Sequence, residues 1–399
     1  MADITLVGRT SGHRDLRAAD IPASATALTA LTAVPAEAWS ALAAGTIEPN
    51  GYYLPEWELA VNASAIGRTG TSALCAWADA SSATQLIGLM PAISMRQAYR
   101  IPLPALVSGH PYGTLCTPLI DRDQSGAAVT SLIRAAREAG ARALILRDVS
   151  LEGAAMTAIT DVLAHDGLRP RILQSHVRAC LDATREPDVL LHDALGAKKL
   201  KELRRQRNRL ADHGSVAFEV ARSPDDVSAA TETFLALEAS GWKGARRTAL
   251  IQNDGDAAFI RRATRALAAT GQCKIVTLRA GATPVASGVV LRHQDRAFYF
   301  KIGVDERFAK FSPGVQLTLD LTRHLCDDPA IASADSTASP DHPMINPIWR
   351  GRLAIGDVLI PLRRNDPVVA LIEVTLRARL SALELARTGV RLIRAWRQR

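Results

Sequence analysis

Five cysteines in 399 residues are few, odd in number and scattered: Cys75, Cys116, Cys180, Cys273 and Cys326 include no C-x-x-C pair. That spacing argues against both a disulfide framework and a zinc knuckle, and a reducing cytoplasm is the simplest home. Long apolar runs are missing too. Nowhere do eighteen uncharged apolar residues follow one another, and the opening "MADITLVGRTSGHRD" lacks the basic-then-apolar order of a signal peptide, so a soluble, cytoplasmic chain is expected. Four catalytic signatures are absent as well: G-x-x-x-x-G-K-[ST], G-x-G-x-x-G, H-E-x-x-H and G-x-S-x-G. Their absence argues against P-loop, Rossmann, zinc-protease and serine-hydrolase chemistry. Metal ligation has no support, and Cys273 and Cys326, on an apolar strand and an apolar helix, read as buried thiols.

What the chain does have is apolar content, 48% of its residues, enough for two domains with real cores. It also carries a net charge of +8, which favours an anionic partner: nucleic acid, an anionic membrane surface or a phosphorylated small molecule. Two basic helical stretches stand out, "KKLKELRRQRNRL" (198–210) and the C-terminal stretch 376–399. Leu200, Leu203 and Leu210 line one side of the first; Leu380, Leu383, Val390 and Ile393 line one side of the second. Both read first as solvated basic faces on packed helices. The C-terminal one, with Trp396, also suits peripheral contact with a membrane surface.

Periodicity gives the first half a mixed α/β reading. Strands are expected at 72–79, 84–94 and 141–149, helices at Ser125–Ala139 and 152–165, and a closing strand from Arg171. The second half reads β-α-α-β-β-β-α-β-β: a strand at 216–221, a helix capped by Ser223, a helix from Asp256, consecutive strands at 273–280, 283–294 and 296–304, a helix from Ser312, a strand near 331–336 and a last strand at "AIGDVLIPL". A composition change at "TREPDVLLHDALG" puts the boundary near 186. The expected domains are 1–186, 187–365, and a basic C-terminal helix over 366–399.

The stretch "FYFKIGVDERFAKFSPGVQLTLDL" joins the third of those consecutive strands to a helix. Ser312 is a good N-cap, Pro313 suits the first helical position, and Leu317, Leu321 and Leu325 recur at i,i+4. The backbone N–H groups of Gly314, Val315 and Gln316 are expected to point out of the helix N-terminus, with Arg307 and Lys310 nearby, which makes an anion site. On the preceding strand, strict alternation puts Tyr299, Lys301 and Gly303 on one face and Phe298, Phe300 and Ile302 on the other.

That order, together with "KKLKELRRQRNRL", "ALEASGWKGARRTAL" and "DSTASPDHPMINPIW", resembles the GNAT acyltransferase superfamily, and within it the cellulose-biosynthesis CelD-type acetyltransferases, relatives of the Fem-type peptidyltransferases. The resemblance covers about 186–363 directly and the first half as a degenerate partner domain. It implies an α/β fold of tandem GNAT-like domains, each a mixed, mostly antiparallel sheet flanked by helices, with the second half catalytic. It also implies acyl-coenzyme A, such as acetyl-CoA, as co-substrate, its pyrophosphate cradled by Arg307, Lys310, Ser312, Gly314, Val315 and Gln316. The acceptor implied is a small amine or amino sugar, in envelope or exopolysaccharide biosynthesis, and DNA is not expected. The chain departs from the pattern at Arg247, where a glycine is usual, and in having only Gly314 in the cofactor loop. No cofactor is expected in the first half.

Acyl transfer from a thioester to an amine needs a polarised carbonyl, an unprotonated amine and a proton for the leaving thiolate. Tyr299 is the expected proton donor, Lys301 an anion contact, and His342, held by Asp335, the base. Trp242, Lys243 and Trp349 are the expected acceptor contacts, each tryptophan being equally readable as a lid or core residue. His110 and His176 read as satisfied polar residues. Two other readings stay open: a Fem-like transferase using aminoacyl-tRNA, with 198–210 against RNA phosphates, and a non-catalytic binding protein of the same fold.

Overall fold

A computed structural model describes residues 28–79, 84–109 and 112–397, with side chains as far as 386. His110 and the side chains of Val390, Ile393 and Trp396 lie outside the described residues.

The first half runs β1 (Thr29–Ala30), α1 (Ala36–Gly45), α2 (Pro55–Ser64), β2 (Ser72–Asp79), β3 (Thr84–Ser94), α3 (Met95–Tyr99), β4 (Ala105–Ser108), β5 (Leu119–Ile120), α4 (Ser125–Glu138), β6 (Ala143–Ser150), α5 (Ala154–His165) and β7 (Arg171–Asp182). It is followed by α6 (Pro187–Leu210), β8 (Val216–Ala221), α7 (Pro224–Ser240), α8 (Trp242–Ala245), α9 (Asp254–Ala269), β9 (Cys273–Ala280), β10 (Thr283–His293), β11 (Arg296–Val304), α10 (Pro313–Cys326), β12 (Ser333–Asp335), β13 (Gly351–Pro361) and α11 (Pro367–Arg397). The basic helix is longer than its charge run: it starts at Pro187 and breaks at Gly196, whose φ of 72° and ψ of 160° are not helical. Local caps explain several starts. Ser223 Oγ accepts from Asp226 N at the head of α7, and Asn253 Oδ1 accepts from Asp256 N at the head of α9.

One continuous sheet carries both halves, in the order β1-β2-β3-β4-β6-β13-β7-β12-β11-β10-β9-β8. Read inwards from either edge, it shows the same pattern. Four antiparallel strands are followed by a parallel neighbour, β4 to β6 in one half and β11 to β12 in the other, and then by an antiparallel strand from the opposite half. β13 pairs with β6, β7 pairs with β12, and β13 and β7 pair with each other at the centre. Each half therefore completes its sheet with a strand of the other, and a buried apolar face spans both. Tyr52 and Trp57 of the first half pack edge-to-face on Phe298 and Phe300 of the second, at centroid distances of 5.6 and 4.9 Å.

The alternation expected along β11 is broken. The register with β10 slips between Val289 and Val290, so Lys301 opposes Val289, Tyr299 opposes Val290 and Phe300 is the extra residue of a bulge. Tyr299 consequently packs with Ile302 toward α10, whereas Lys301 reaches Glu238 and Gly303 lies against Leu237, both on α7. The expected shared face of Tyr299, Lys301 and Gly303 does not form. α11 lays Val369, Ile372 and Leu376 on Ile93, Val107 and Ile145 of the first half. Among the described residues, no helix is long and apolar enough to cross a membrane.

Candidate active site

The parallel pairing of β11 with β12 covers three residue pairs and ends at Phe298 and Asp335. Beyond that point the two segments part, with a hydrogen bond from Thr337 Oγ1 to Tyr299 O at 2.6 Å across the root of the split. The opening is a cavity of about 150 Å3 lined by β11 from Tyr299 to Ile302, by the 336–345 loop with His342 and Met344, and by Lys243. A bulged strand edge that has left its neighbour turns backbone polar groups toward whatever enters the split.

The wall on the α7 side is built around a carboxylate that the sequence reading missed. Glu238 is fully buried, and its Oε1 accepts from Lys243 Nζ at 3.2 Å and Lys301 Nζ at 3.1 Å, while Oε2 accepts from Leu250 N at 2.9 Å. Burial alone would raise the Glu238 carboxyl. The two ammonium groups and the Leu250 N–H outweigh it and hold the group below the usual carboxylate range. Lys243 also donates to Ile302 O at 3.1 Å; burial, reinforced by the Lys301 charge and opposed by Glu238, pushes its ammonium down. Two cations on one anion leave a net positive wall. Gly303 is what lets α7 come this close, since a Cβ there would sit 2.7 Å from Glu238 N.

His342 lies in the cavity, but Asp335 does not hold it. Asp335 is buried and ion-paired to Arg178 on β7, its second oxygen accepting from Thr337 N at 2.9 Å. The Arg178 guanidinium also donates to Thr114 O at 2.7 Å, so this pair ties β12 to the first half. His342 Nδ1 instead accepts from Met344 N at 3.3 Å, which in the neutral ring leaves the proton on Nε2. Burial and the Lys243 charge push the imidazole below its ordinary value, favouring that neutral form. The ring is thus set up as a donor rather than as the carboxylate-backed base expected.

At the head of α10, Pro313 occupies the first helical position, but Ser312 has φ 53° and makes no side-chain cap. Its carbonyl accepts the first helical bond, from Gln316 N at 3.0 Å, and Gln316 Nε2 turns back to Leu203 O on α6. Gln316 therefore drops out of the expected anion site, and the free N–H groups are those of Gly314 and Val315. A Cβ on Gly314 would stand 3.0 Å from Met344 Sδ and 3.5 Å from Ile302 Cδ1; both are cavity residues, so this helix start adjoins the cavity. Of the expected cations, Arg307 folds onto Asp305, Nη2 to Oδ2 2.7 Å, and Lys310 is exposed beside the Phe311 ring.

Tyr299 and the two tryptophans are placed differently from expectation. The Tyr299 phenol packs against Gly288 and 6.2 Å from the Trp349 ring, and burial pushes its pKa far up, so it is a weaker acid than an exposed tyrosine. Trp349 is a core residue, wholly buried with Nε1 donating to Thr322 Oγ1 at 2.9 Å. Trp242 is 54% exposed next to Lys243, beneath the Arg246 guanidinium at 5.1 Å; Glu306 Oε1 accepts from its backbone N–H at 2.8 Å. Arg247, at the position where the resemblance expects glycine, has φ 56°, the left-handed conformation that glycine favours.

Residues 197–341 match the family model described as "Acetyltransferase (GNAT) domain", a span that contains the split strands, Glu238, both lysines and the head of α10. No curated protein matches the chain. Among solved structures, FemX superposes with a TM-score of 0.55 at 12% identity, covering 85% of this chain and 98% of its own. A conserved Bacteroides thetaiotaomicron protein of unknown function gives 0.52 at 11%, covering 83% and 98%. The C-terminal DUF2156 domain of an Agrobacterium fabrum protein described as a lysylphosphatidylglycerol synthetase gives 0.50 at 16%, covering 86% and 95%. At such identities the likeness is one of fold. The chain is a mixed α/β protein whose two halves repeat one sheet pattern, with residues 197–341 in the second half matching the acetyltransferase (GNAT) domain model.

Proposed function

We propose that the second half, within residues 187–365, is an acyl-CoA-dependent N-acyltransferase acting on a small amine or amino sugar. The observation that carries this reading is the juxtaposition of three parts: the split between β11 and β12, the free N–H groups of Gly314 and Val315 at the adjoining helix start, and the positive wall formed by Lys243 and Lys301. The residues present fit a thioester donor. Gly314 and Val315, with Lys310, would hold an anionic pyrophosphate at the helix end, and the open edge of β11 would receive the acyl arm.

In the transfer, the acceptor nitrogen attacks the thioester carbonyl carbon, the C–N bond forms, and the C–S bond breaks. Negative charge gathers first on the carbonyl oxygen and then on sulfur, and in this reading Lys301 and the neutral His342 N–H, both lining the cavity, stabilise it. The net positive wall disfavours a protonated acceptor, so the amine enters in its nucleophilic, neutral form without a dedicated carboxylate-backed base. The proton lost by nitrogen balances the one taken up by the thiolate. The CelD-type resemblance suggests an amino-sugar acceptor in exopolysaccharide or envelope synthesis.

Titration calorimetry with coenzyme A, and thiol release from acetyl-CoA over a panel of amines, test this. Micromolar to millimolar coenzyme A binding that weakens in Lys310→Ala and Gly314→Val supports it. Salt-sensitive tRNA binding without any response to coenzyme A would shift the donor to aminoacyl-tRNA.

A further inference from the structure

The two halves repeat each other at the split itself. In the second half the parallel pairing stops after Phe298 and Asp335, and the residues one and two positions on, Tyr299 and Thr337, are hydrogen-bonded across the gap. In the first half the pairing of β4 with β6 stops after Val107 and Ile145. The residues at the same offsets, Ser108 and Arg147, are again bonded across the gap, Arg147 N donating to Ser108 Oγ at 2.9 Å. Here too a cavity opens at the parting, of about 200 Å3, lined by Ser108, Val107, Arg147, Gln97, Ile93 and Gly67.

From this we infer that the first half holds a second ligand site, for a small oxyanion, a carboxylate or phosphate, with Arg147 as its anchor. Arg147 makes no ion pair within 4 Å among the described residues, and its Nε is buried without a hydrogen-bond partner. The charges of Asp357 and Asp148 act on it from beyond ion-pair distance, and the Asp357 carboxylate is already engaged, accepting from Asp148 N at 3.0 Å and from Gln174 Nε2 at 2.7 Å. The Tyr99 ring lies under the guanidinium at 5.9 Å, with Arg379 over the same ring at 4.9 Å. Arg147 also lines a smaller cavity of about 120 Å3 toward Arg379, so one planar cation bridges both spaces. A half-buried guanidinium with no acid within ion-pair distance and a buried Nε without a partner still has donors to satisfy, and its fork matches a carboxylate or phosphate in two parallel bonds. Buried Ser108 and exposed Gln97 add polar groups to the lining.

Just before α4, the helix after the split, Asp121 Oδ1 accepts from Asp123 N and Gln124 N, both at 2.9 Å, which sets a negative charge beside that helix start and disfavours a polyanion such as a pyrophosphate there.

The full chain, at fixed ionic strength, is titrated by calorimetry with inorganic phosphate in one arm and succinate in the other. Saturable binding of at least one, weakened about tenfold or more in Arg147→Met and less in Arg147→Lys, is the expected result, since the point charge survives in lysine while the fork is lost. Lys301→Met, in the other cleft, should leave it unchanged. No saturable binding of either anion, or binding that survives Arg147→Met, or binding abolished by Lys301→Met, overturns the assignment. Circular dichroism melting of each variant separates lost binding from lost fold, and Gln97→Ala, which leaves the buried cation in place, gives a second arm in which affinity should fall without a change in melting temperature. None of these readouts involves coenzyme A, so failure here and failure of the acyltransferase reading are distinguishable.

Discussion

The Glu238 carboxylate and the Lys301 ammonium are 3.1 Å apart in the wall of the cleft, and the same carboxylate oxygen holds Lys243 at 3.2 Å. Three charged groups from α7, α8 and β11 thus share one buried oxygen, and none can be altered without changing the field felt by the other two. Glu238→Gln leaves two facing ammonium groups uncompensated and is expected to cost about 2 kcal/mol, below the range for fully buried pairs because both lysines keep some contact with water. Urea unfolding measures it. The pH dependence has a definite sign: the folded carboxyl lies below its unfolded value of 4.5, so its contribution is present above pH 4.5 and fades as pH falls through the folded pKa. The difference between wild type and Glu238→Gln should shrink over that acid range.

Arg178 and Asp335 join the halves. The pair is buried on both sides, 3% and 1% exposed, so Arg178→Met is expected to cost about 3–5 kcal/mol by stranding the carboxylate. The double variant Arg178→Met with Asp335→Asn should recover part of that loss, because no charge is then left unpaired. Additive losses in urea denaturation would mean that the two groups act independently.

Most element positions were legible because they rest on local signals. Ser223 caps as expected, the helix expected from Asp256 starts two residues earlier at Asp254 behind Asn253, and Leu317, Leu321 and Leu325 lie buried along one face of α10. What was not legible depends on tertiary contact. A bulge at Phe300 has no residue signature, yet it moves Tyr299 to the opposite face from Lys301. Glu238 reads as an ordinary helix-surface acid until α7 is docked on Gly303, although its place beside Leu235 and Leu237 in an apolar run was a usable hint. Asp335 and His342 are near in sequence, but the charge that claims Asp335 comes from Arg178, 157 residues earlier. The swap of β7 and β13 between halves is of the same kind, since it arises from pairing over long separations that periodicity cannot see.

Trp349 and Trp242 give a direct test of core against surface. Trp349→Ala empties a fully buried site and removes a donor from Thr322 Oγ1, so a loss of about 3–5 kcal/mol is expected. Trp242→Ala removes a ring that is already half in water and should change stability by no more than about 0.5 kcal/mol. If Trp242 contacts the acceptor, its loss raises KM in the amine assay while the melting temperature holds.

His342 separates two roles that its position alone does not. Its folded pKa is depressed below 6.5 by burial and by Lys243, so the unfolded chain takes up the proton first as pH falls, and folding stability drops below pH 6.5 on this account. In the folded protein the same depression favours the neutral ring, with Nδ1 bound by Met344 N and the proton on Nε2. If the ring serves as a donor to the developing oxyanion or thiolate, His342→Gln retains an N–H, keeps kcat/KM within about tenfold, and leaves no acidic limb of its own, because imidazolium also carries the Nε2 proton. If the ring instead takes the acceptor's proton, glutamine cannot replace it, and the loss should reach about 10²–10⁴-fold. Steady-state pH profiles of wild type, His342→Gln and His342→Ala decide between these outcomes, and the hydrogen bond from Met344 favours the first.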